Sequence, residues 1–168
     1  MNILLSGCAG FIGFHVSNLI IKKYNNFKLI GIDNLNNYYS VSLKKKRLKI
    51  LKESKKFKFL KLDLRDKSKL NRLFKQNKID IVIHLAAQAG VRHSINNPKF
   101  YYESNIVGFL NIIELCRHNN IEGFIYASSS SVYGGNEKIP FSVEDRVDRP
   151  IALYGATKRA NELIAYSY

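Results

Sequence analysis

The sequence is poor in the residues that stabilise small secreted folds. Its 168 residues include two cysteines, three prolines, one methionine and no tryptophan. Cys8 and Cys116 cannot form a disulfide framework, so a disulfide-stabilised secreted domain is excluded and a reducing, cytoplasmic environment is predicted. No apolar run is long enough to cross a membrane, and Met1 leads directly into a strand-like segment. We therefore expect neither a signal peptide nor a membrane partner.

Acidic residues are also scarce. The 13 aspartates and glutamates stand against 27 lysines and arginines, which gives a net charge of +14. Most of the excess lies in one basic segment, Lys44 to Lys61, where ten basic residues accompany the single acid Glu53. The segment is either a phosphate-binding patch or a solvated helix face followed by a strand. We favour the second interpretation and predict no nucleic-acid partner, because the run lacks interleaved aromatic residues that stack on bases.

The length and composition are those of one globular domain. A chain of 168 residues buries roughly 70% of the surface that it exposes when unfolded. Hydrophobic residues make up 46% and charged residues 24%, which is ordinary for such a domain. The four histidines have no metal-ligand spacing, so no metal site is predicted.

A strand, a glycine turn and a helix open the chain. Asn2 to Ser6 is an apolar run, and it leads into the GxxGxxG pattern of Gly7, Gly10 and Gly13, followed by an amphipathic segment to about Tyr24. Glycines in this context let the backbone approach a pyrophosphate, whose charge the helix N-terminus stabilises. Asp33 ends the second predicted strand and lies 20 residues after Gly13. A carboxylate there binds an adenosine ribose and repels a 2′-phosphate, which favours NAD over NADP.

The rest of the chain alternates between strand and helix patterns. Strands are predicted at 57–62, 80–85 and 123–127, and helices at 41–53, 67–76 and 106–116, the last from the spacing of Ile106, Phe109, Leu110, Ile113 and Cys116. We predict an α/β fold, a Rossmann-like doubly wound parallel sheet with helices on both faces. Ligands of such sheets bind at the carboxyl ends of the strands.

The last helical segment contains a possible catalytic pair. Tyr154 and Lys158 are four residues apart, so a helix places them on one face. An adjacent ammonium favours the ionised phenol, which is then a general base for a hydroxyl. The serine run 128–131 follows the fifth strand, and a hydroxyl there could hold the oxygen that Tyr154 deprotonates. A surface loop is predicted between them, from Gly134 to Pro150.

Six segments, in order along nearly the whole chain, resemble the extended short-chain dehydrogenase/reductases that act on nucleotide sugars. They are GCAGFIG, GIDNLNNYY, VIHLAAQAGVR, SNIVGFLNIIE, YASSSSVYG and YGATK. More narrowly, DNLNNYYSVSLKKKRL, AAQAGVRHS and PFSVEDRVDRPIALYGATKRANEL are similar to bacterial UDP-glucuronate 4-epimerases. The resemblance implies that residues 1–168 are the NAD-binding Rossmann domain of a nucleotide-sugar epimerase, without its C-terminal substrate-binding region.

The resemblance also implies roles for individual residues. The cofactor NAD would be bound by Gly7, Gly10, Phe11, Ile12, Gly13, Asp33, Asn34, Asp63, Leu64, Leu85, Ala86, Ala87, Asn105, Tyr154 and Lys158. The catalytic residues would be Ser129, Tyr154 and Lys158, and the UDP-sugar substrate would meet Ser129, Ser131, Arg92 and Tyr154. For Arg92, a surface salt bridge is an equally good interpretation.

The implied reaction converts UDP-glucuronate to UDP-galacturonate through a 4-keto intermediate. Related dehydratases carry acidic residues just after the hydroxyl partner, where this chain has Ser130 and Ser131, and this favours epimerisation. A UDP-glucose 4-epimerase or another nucleotide-sugar epimerase or dehydratase is an alternative. A more remote one is a non-catalytic module that binds NAD or nucleic acid.

The resemblance implies two properties of the assembled protein. Family members dimerise through the helices that match 105–118 and 154–168, so a homodimer is expected. They also continue well beyond Tyr168, with later segments that contact the nucleotide and the sugar. We therefore expect little activity from residues 1–168 alone.

Overall fold

A five-stranded parallel sheet forms the centre of the computed structural model, which describes residues 1–168. Its strands are β1 (Asn2–Ser6), β2 (Lys28–Asp33), β3 (Phe57–Lys61), β4 (Ile81–His84) and β5 (Gly123–Tyr126). The strand order is β3-β2-β1-β4-β5, and all neighbouring strands are parallel. The predicted Rossmann-like sheet is confirmed. Its order reverses between β1 and β4, where such sheets bind ligands.

Seven α-helices accompany the strands: α1 (Phe11–Lys23), α2 (Val41–Lys52), α3 (Lys67–Gln76), α4 (Val91–Asn96), α5 (Pro98–Tyr101), α6 (Gly108–His118) and α7 (Leu153–Ser167). They cover both faces of the sheet, as predicted. Side chains of a strand alternate between its faces, so Ile3 and Leu5 of β1 pack with Leu48 of α2, whereas Leu4 packs with Leu70 of α3. Both faces of β1 are therefore buried, which explains its continuous apolar sequence.

The region between β4 and β5 differs from the sequence prediction. Helices α4 and α5 were not predicted, and α5 continues through a π-helical segment, Tyr102–Val107, into α6. Leu110 was predicted to face inward, but it is 41% exposed. The helix turns about 100° per residue, and its buried face is centred on Phe109 and Ile112. The other predicted elements agree with the structure to within two residues.

The basic segment forms α2 and the edge strand β3. Its exposed members are Lys45, Lys46, Lys49, Lys52, Lys55, Lys58 and Lys61. This arrangement is the solvated helix face and strand that the sequence analysis favoured. Lysines on an edge strand also discourage pairing with another chain. None of the helices combines the length and the apolar character that crossing a membrane requires.

Ser17 is the one buried side chain whose polar atom has no hydrogen-bond partner. It lies in α1 with no exposed surface. We expect Ser17→Ala to raise the free energy of unfolding by about 1 kcal/mol, because it removes a desolvated hydroxyl and improves helix propensity. Urea denaturation measures the change. Ser68→Ala, at an exposed position of α3, reports the helix-propensity share alone, and destabilisation by Ser17→Ala would show that the hydroxyl is hydrogen-bonded.

Candidate cofactor and catalytic site

A cleft of about 170 Å³ lies at the carboxyl ends of β1, β2, β3 and β4. Nine of the residues predicted to bind the cofactor line it: Gly7, Gly10, Asp33, Asn34, Asp63, Leu64, Leu85, Ala86 and Ala87. Lining residues that the sequence analysis did not single out are Ile32, Asn36, Tyr38, Tyr39, Lys44, Leu62, Gln88, Ala89 and Ser104. The topology thus brings together segments that are far apart in the sequence.

The glycine turn at the end of β1 has no room for side chains. Gly7 has a φ of +76°, and a Cβ on it would lie 2.8 Å from the Ala86 nitrogen. A Cβ on Gly13 would collide with the Gly7 carbonyl. Gly10 precedes α1 without a side-chain cap, so no side chain covers the first N–H groups of the helix. Bare N–H groups at a helix start are a site for an anion such as a phosphate.

Asp33 is held in place at the end of β2. Its carboxylate accepts hydrogen bonds from the Ala9 nitrogen at 3.1 Å and from the Leu35 nitrogen at 2.8 Å. A carboxylate has about four acceptor positions, so Asp33 keeps capacity for hydroxyl donors in the cleft. The structure shows that Asp33 holds the turn, through Leu35, and that it also lines the cleft.

Asp63 forms part of another wall of the cleft. It accepts a hydrogen bond from the Asn34 amide at 3.0 Å and pairs with Arg65 at 2.9 Å. Burial disfavours ionisation of Asp63, but the hydrogen bonds from Arg65 and Asn34 outweigh burial and hold the pKa of its carboxyl at about 2. The carboxylate is therefore charged at neutral pH and fixed in orientation.

Lys44 is a lining residue that the sequence analysis counted among the solvated lysines, and this assignment was wrong. It is only 4% exposed, and its ammonium donates to the Asn36 carbonyl at 2.8 Å and lies 4.4 Å from the Tyr39 ring centroid. Burial lowers its pKa, although the charge of Asp33 opposes the change. The signal was present, because Lys44, Leu48 and Leu51 follow the helical period as i, i+4 and i+7 and all are buried.

Asn105 lies behind the cleft wall, in the π-helical segment. Its side chain accepts from the Gln88 nitrogen at 2.8 Å and donates to the Gln88 carbonyl at 3.0 Å, and its own carbonyl accepts from Asn161 of α7 at 2.8 Å. It is 2% exposed. Asn105 therefore ties the segment after β4 to α7. A π-helical segment leaves main-chain groups without their usual intrahelical partners, which makes such contacts possible.

Lys158 is buried without a negatively charged partner. It is 4% exposed, and its ammonium donates to the Ala127 carbonyl, just after β5, at 2.9 Å. No carboxylate lies within salt-bridge distance of it. Burial lowers the pKa of Lys158 to about 8. A cation in this position destabilises the fold unless a ligand uses it.

Tyr154 and the serines surround the start of α7. Tyr154 is half-buried, and its main-chain nitrogen donates to the Ser94 hydroxyl at 3.2 Å. Ser129 accepts from the Ser131 nitrogen at 3.2 Å, at the start of a short 3₁₀ helix. A Cβ on Gly155 would lie 2.5 Å from the Ser131 carbonyl. The glycine after Tyr154 thus lets the first turn of α7 pack directly on the serine segment.

Nine predicted site residues lie outside the cleft lining: Phe11, Ile12, Gly13, Arg92, Asn105, Ser129, Ser131, Tyr154 and Lys158. Phe11 and Ile12, in the first turn of α1, have exposed side chains. Arg92, in the first turn of α4, is exposed and forms no salt bridge, so the salt-bridge interpretation is wrong.

We expect Lys158→Met to stabilise the chain at pH 7 by about 2 kcal/mol. The folded pKa lies below the ordinary value of 10.5, so the unfolded state binds more protons and the unfolding free energy of the wild type rises with pH between about 8 and 10.5. The variant should lose that rise. Chemical denaturation across this range measures both effects, with Lys75→Met at an exposed position of α3 as control. Destabilisation at pH 7 with an unchanged pH profile would contradict the account.

The sheet order, the glycine turn and the helix with Tyr154 and Lys158 define a short-chain dehydrogenase/reductase. Within this class, the chain belongs to the family described as GDP-mannose 4,6 dehydratase, whose model matches residues 4–168. The predicted membership of the NAD-dependent epimerase/dehydratase group is confirmed.

Individual relatives are similar over the whole chain. An uncharacterized protein of Methanocaldococcus jannaschii is 56% identical over 167 residues, 99% of this chain and 51% of that protein. A probable UDP-glucuronate 4-epimerase of Rhizobium meliloti is 46% identical over 100% of this chain and 49% of that protein. The crystal structure of UDP-glucuronic acid 4-epimerase from Bacillus cereus, with UDP-glucuronic acid and NAD, has a TM-score of 0.91 at 32% identity, covering 100% of this chain and 52% of that one. The chain thus spans about half the length of the relatives it matches.

Proposed function

We propose that this chain is the part of a nucleotide-sugar 4-epimerase that binds NAD and carries the catalytic base. The observation that carries the proposal is the buried, uncompensated ammonium of Lys158, one helical turn from Tyr154. A fold retains such a group against its effect on stability when the group has a function. The similarity to UDP-glucuronate 4-epimerases supports the same conclusion.

The cleft residues fit NAD. The pyrophosphate would lie over Gly7, Gly10 and the first turn of α1, where a side chain would block it. The hydroxyls of the adenosine ribose would donate to Asp33, which keeps free acceptor capacity. Asn34, Asp63 and Leu64 would border the adenosine end, and Leu85, Ala86 and Ala87 the nicotinamide end. Asn105 would support the last three through Gln88.

The residues of this chain would manage the proton of the sugar's C4 hydroxyl. Tyr154 would accept that proton as the hydroxyl becomes a ketone and return it when the sugar is reduced on its other face. Lys158 would stabilise the ionised phenol and bind the nicotinamide ribose, and Ser129 would hold the C4 oxygen. NAD, when bound, supplies the hydride acceptor and donor. The reaction would thus yield the C4 epimer with no net oxidation.

The substrate that we propose is UDP-glucuronate, converted to UDP-galacturonate. Ser131 lies beside Ser129, and Arg92 is exposed and unpaired, so both would contact the UDP-sugar. Neither Ser130 nor Ser131 provides the carboxylate that dehydratases of this group use next to the ketone. A UDP-glucose/N-acetylglucosamine 4-epimerase of Campylobacter jejuni is also similar, with a TM-score of 0.89, and such a substrate is the alternative.

We also propose a cytoplasmic homodimer, formed through 105–118 and 154–168. Exposed apolar residues on these helices support it, namely Leu110 at 41%, Leu163 at 56% and Tyr166 at 94% exposure. Because the chain spans about half of its relatives, we expect little epimerase activity from residues 1–168 alone.

The chain should bind NAD at least about 100-fold more tightly than NADP, because the Asp33 carboxylate repels a 2′-phosphate. Asp33→Asn should weaken NAD binding about tenfold, through loss of a charge-assisted hydrogen bond. It should also reduce the ratio between the affinities for NAD and NADP. Isothermal titration calorimetry measures both. Asp148→Asn, at an exposed loop position, should change neither, and equal affinity of the wild type for the two cofactors would refute the role of Asp33.

Tyr154→Phe should abolish epimerisation and leave NAD affinity within about threefold of the wild type, because it removes the proton acceptor and keeps the ring. The assay uses a chimera that joins this chain to the C-terminal half of the Rhizobium meliloti relative, with UDP-glucuronate and UDP-glucose as parallel substrates. Tyr24→Phe, at the exposed end of α1 and away from the proposed dimer surface, serves as control. Retained turnover by Tyr154→Phe would show that another group is the base.

A further inference from the structure

Ser6 and His84 form a buried polar pair at the ends of the two central strands. They lie opposite each other in the β1–β4 register, with exposures of 0% and 3%. The Ser6 hydroxyl is 2.9 Å from His84 Nδ1 and also accepts a hydrogen bond from the Ala86 nitrogen at 3.2 Å. No step of the proposed reaction uses either side chain.

The pair can form with a neutral ring. The Ser6 oxygen accepts from the Ala86 nitrogen; toward His84 Nδ1 it donates its hydrogen when the imidazole proton is on Nε2, and accepts with its second lone pair when the proton is on Nδ1. Burial, together with the nearby charge of Lys158, lowers the pKa of His84 to about 3. The ring packs edge-on against Phe109 at 5.5 Å between centroids, which also fixes its orientation.

The Ala86 nitrogen needs the Ser6 hydroxyl because β1 ends there. The last main-chain bond of this ladder runs from the Leu85 nitrogen to the Ser6 carbonyl at 3.2 Å. Beyond it, Gly7 turns away with a φ of +76°. The main chain of β1 then has no acceptor for the Ala86 N–H, and the Ser6 hydroxyl accepts that hydrogen bond instead. Leaving this half-buried N–H unpaired would be unfavourable.

The main chain of His84 connects the same pair to Lys158. Its carbonyl accepts from the Ala127 nitrogen at 3.2 Å, and the Ala127 carbonyl accepts from the Lys158 ammonium at 2.9 Å. His84 therefore connects two parts of the site. Its ring contacts the Ser6 hydroxyl that binds the Ala86 nitrogen, and its main-chain carbonyl binds Ala127, whose own carbonyl binds the Lys158 ammonium.

We propose that Ser6 and His84 are positioning residues for the cofactor. The hydroxyl–imidazole pair holds the cleft wall at Ala86 against the glycine turn and in a fixed position relative to Lys158. This role rests on the proposed function, since it concerns the gap in which NAD would lie. A neutral ring accomplishes it without adding a second positive charge beside Lys158. An apolar pair of similar size would fill the same space and leave the Ala86 N–H unpaired.

The first test needs no cofactor. Heteronuclear NMR of the wild-type chain should show a neutral His84 ring that does not titrate between about pH 5 and pH 8. The Ala86 amide should exchange slowly with solvent in the wild type and at least about tenfold faster in Ser6→Ala. A His84 ring that titrates in this range, or an Ala86 amide that Ser6→Ala leaves unchanged, would overturn the proposal.

The second test measures NAD affinity by calorimetry. Ser6→Ala and His84→Phe should each weaken binding about tenfold, and the double variant should be no weaker than the worse single one, because both remove the same element. Ser6→Thr and His84→Asn keep a hydroxyl and an acceptor, and should bind within about threefold of the wild type. The control is Ser17→Ala, which removes a buried hydroxyl that has no partner.

The outcomes separate the two claims. A wild-type chain that fails to bind NAD would refute the proposed function, and the NMR results would then decide the geometry of the pair. A wild type that binds NAD while Ser6→Ala binds equally well, or effects that add in the double variant, would refute the positioning role and leave the proposed function intact.

Discussion

The close approach of the glycine turn to the segment after β4 is the constraint on which the site depends. The chain leaves β1 at Gly7 and leaves β4 near Ala86. The two main chains are so close there that a Cβ on Gly7 would collide with Ala86. The first turn of α1 can therefore lie over the ends of both strands, with its N–H groups bare. A side chain at Gly7 would collide with the main chain of Ala86, and one at Gly13 would collide with the Gly7 carbonyl, so either would displace the glycine turn.

A second set of contacts connects this packing to α7. Asn105 bonds to both main-chain groups of Gln88, and Asn161 bonds to the carbonyl of Asn105. Lys158 bonds to the end of β5. The helix with Tyr154 is thus fixed by buried polar contacts, which specify one geometry because each would be costly to leave unpaired. Lys158 stands apart from this set, since its charge is buried and uncompensated. We expect this charge to lower the stability of the fold, as is common at functional sites.

Most of the fold could be predicted from the sequence. Apolar runs indicate buried strands, and apolar residues at the helical period indicate the buried face of a helix. The glycine turn and Asp33 were found for the same reason, since each follows the strand that positions it. Long-range contacts could not be predicted. Nothing local in the sequence reveals that the side chain of Asn105 binds Gln88, or that the segment before α6 is π-helical. Lys44 was assigned to the exposed lysines because of its charge, although its position in the helical period indicated burial. Its ammonium can be buried because Asn36 accepts its hydrogen bonds and the Tyr39 ring lies next to it.

The central claim is that one NAD molecule extends from Asp33, in the cleft, to Lys158 on α7, and a crystal structure of this chain with NAD tests it most directly. The account predicts adenosine-ribose hydroxyls on the Asp33 carboxylate, pyrophosphate oxygens on the first N–H groups of α1, and the nicotinamide ribose within hydrogen-bond distance of the Lys158 ammonium. A cofactor bound along the lysines of α2 and β3, or one that leaves Asp33 and Lys158 without ligand contacts, would contradict it.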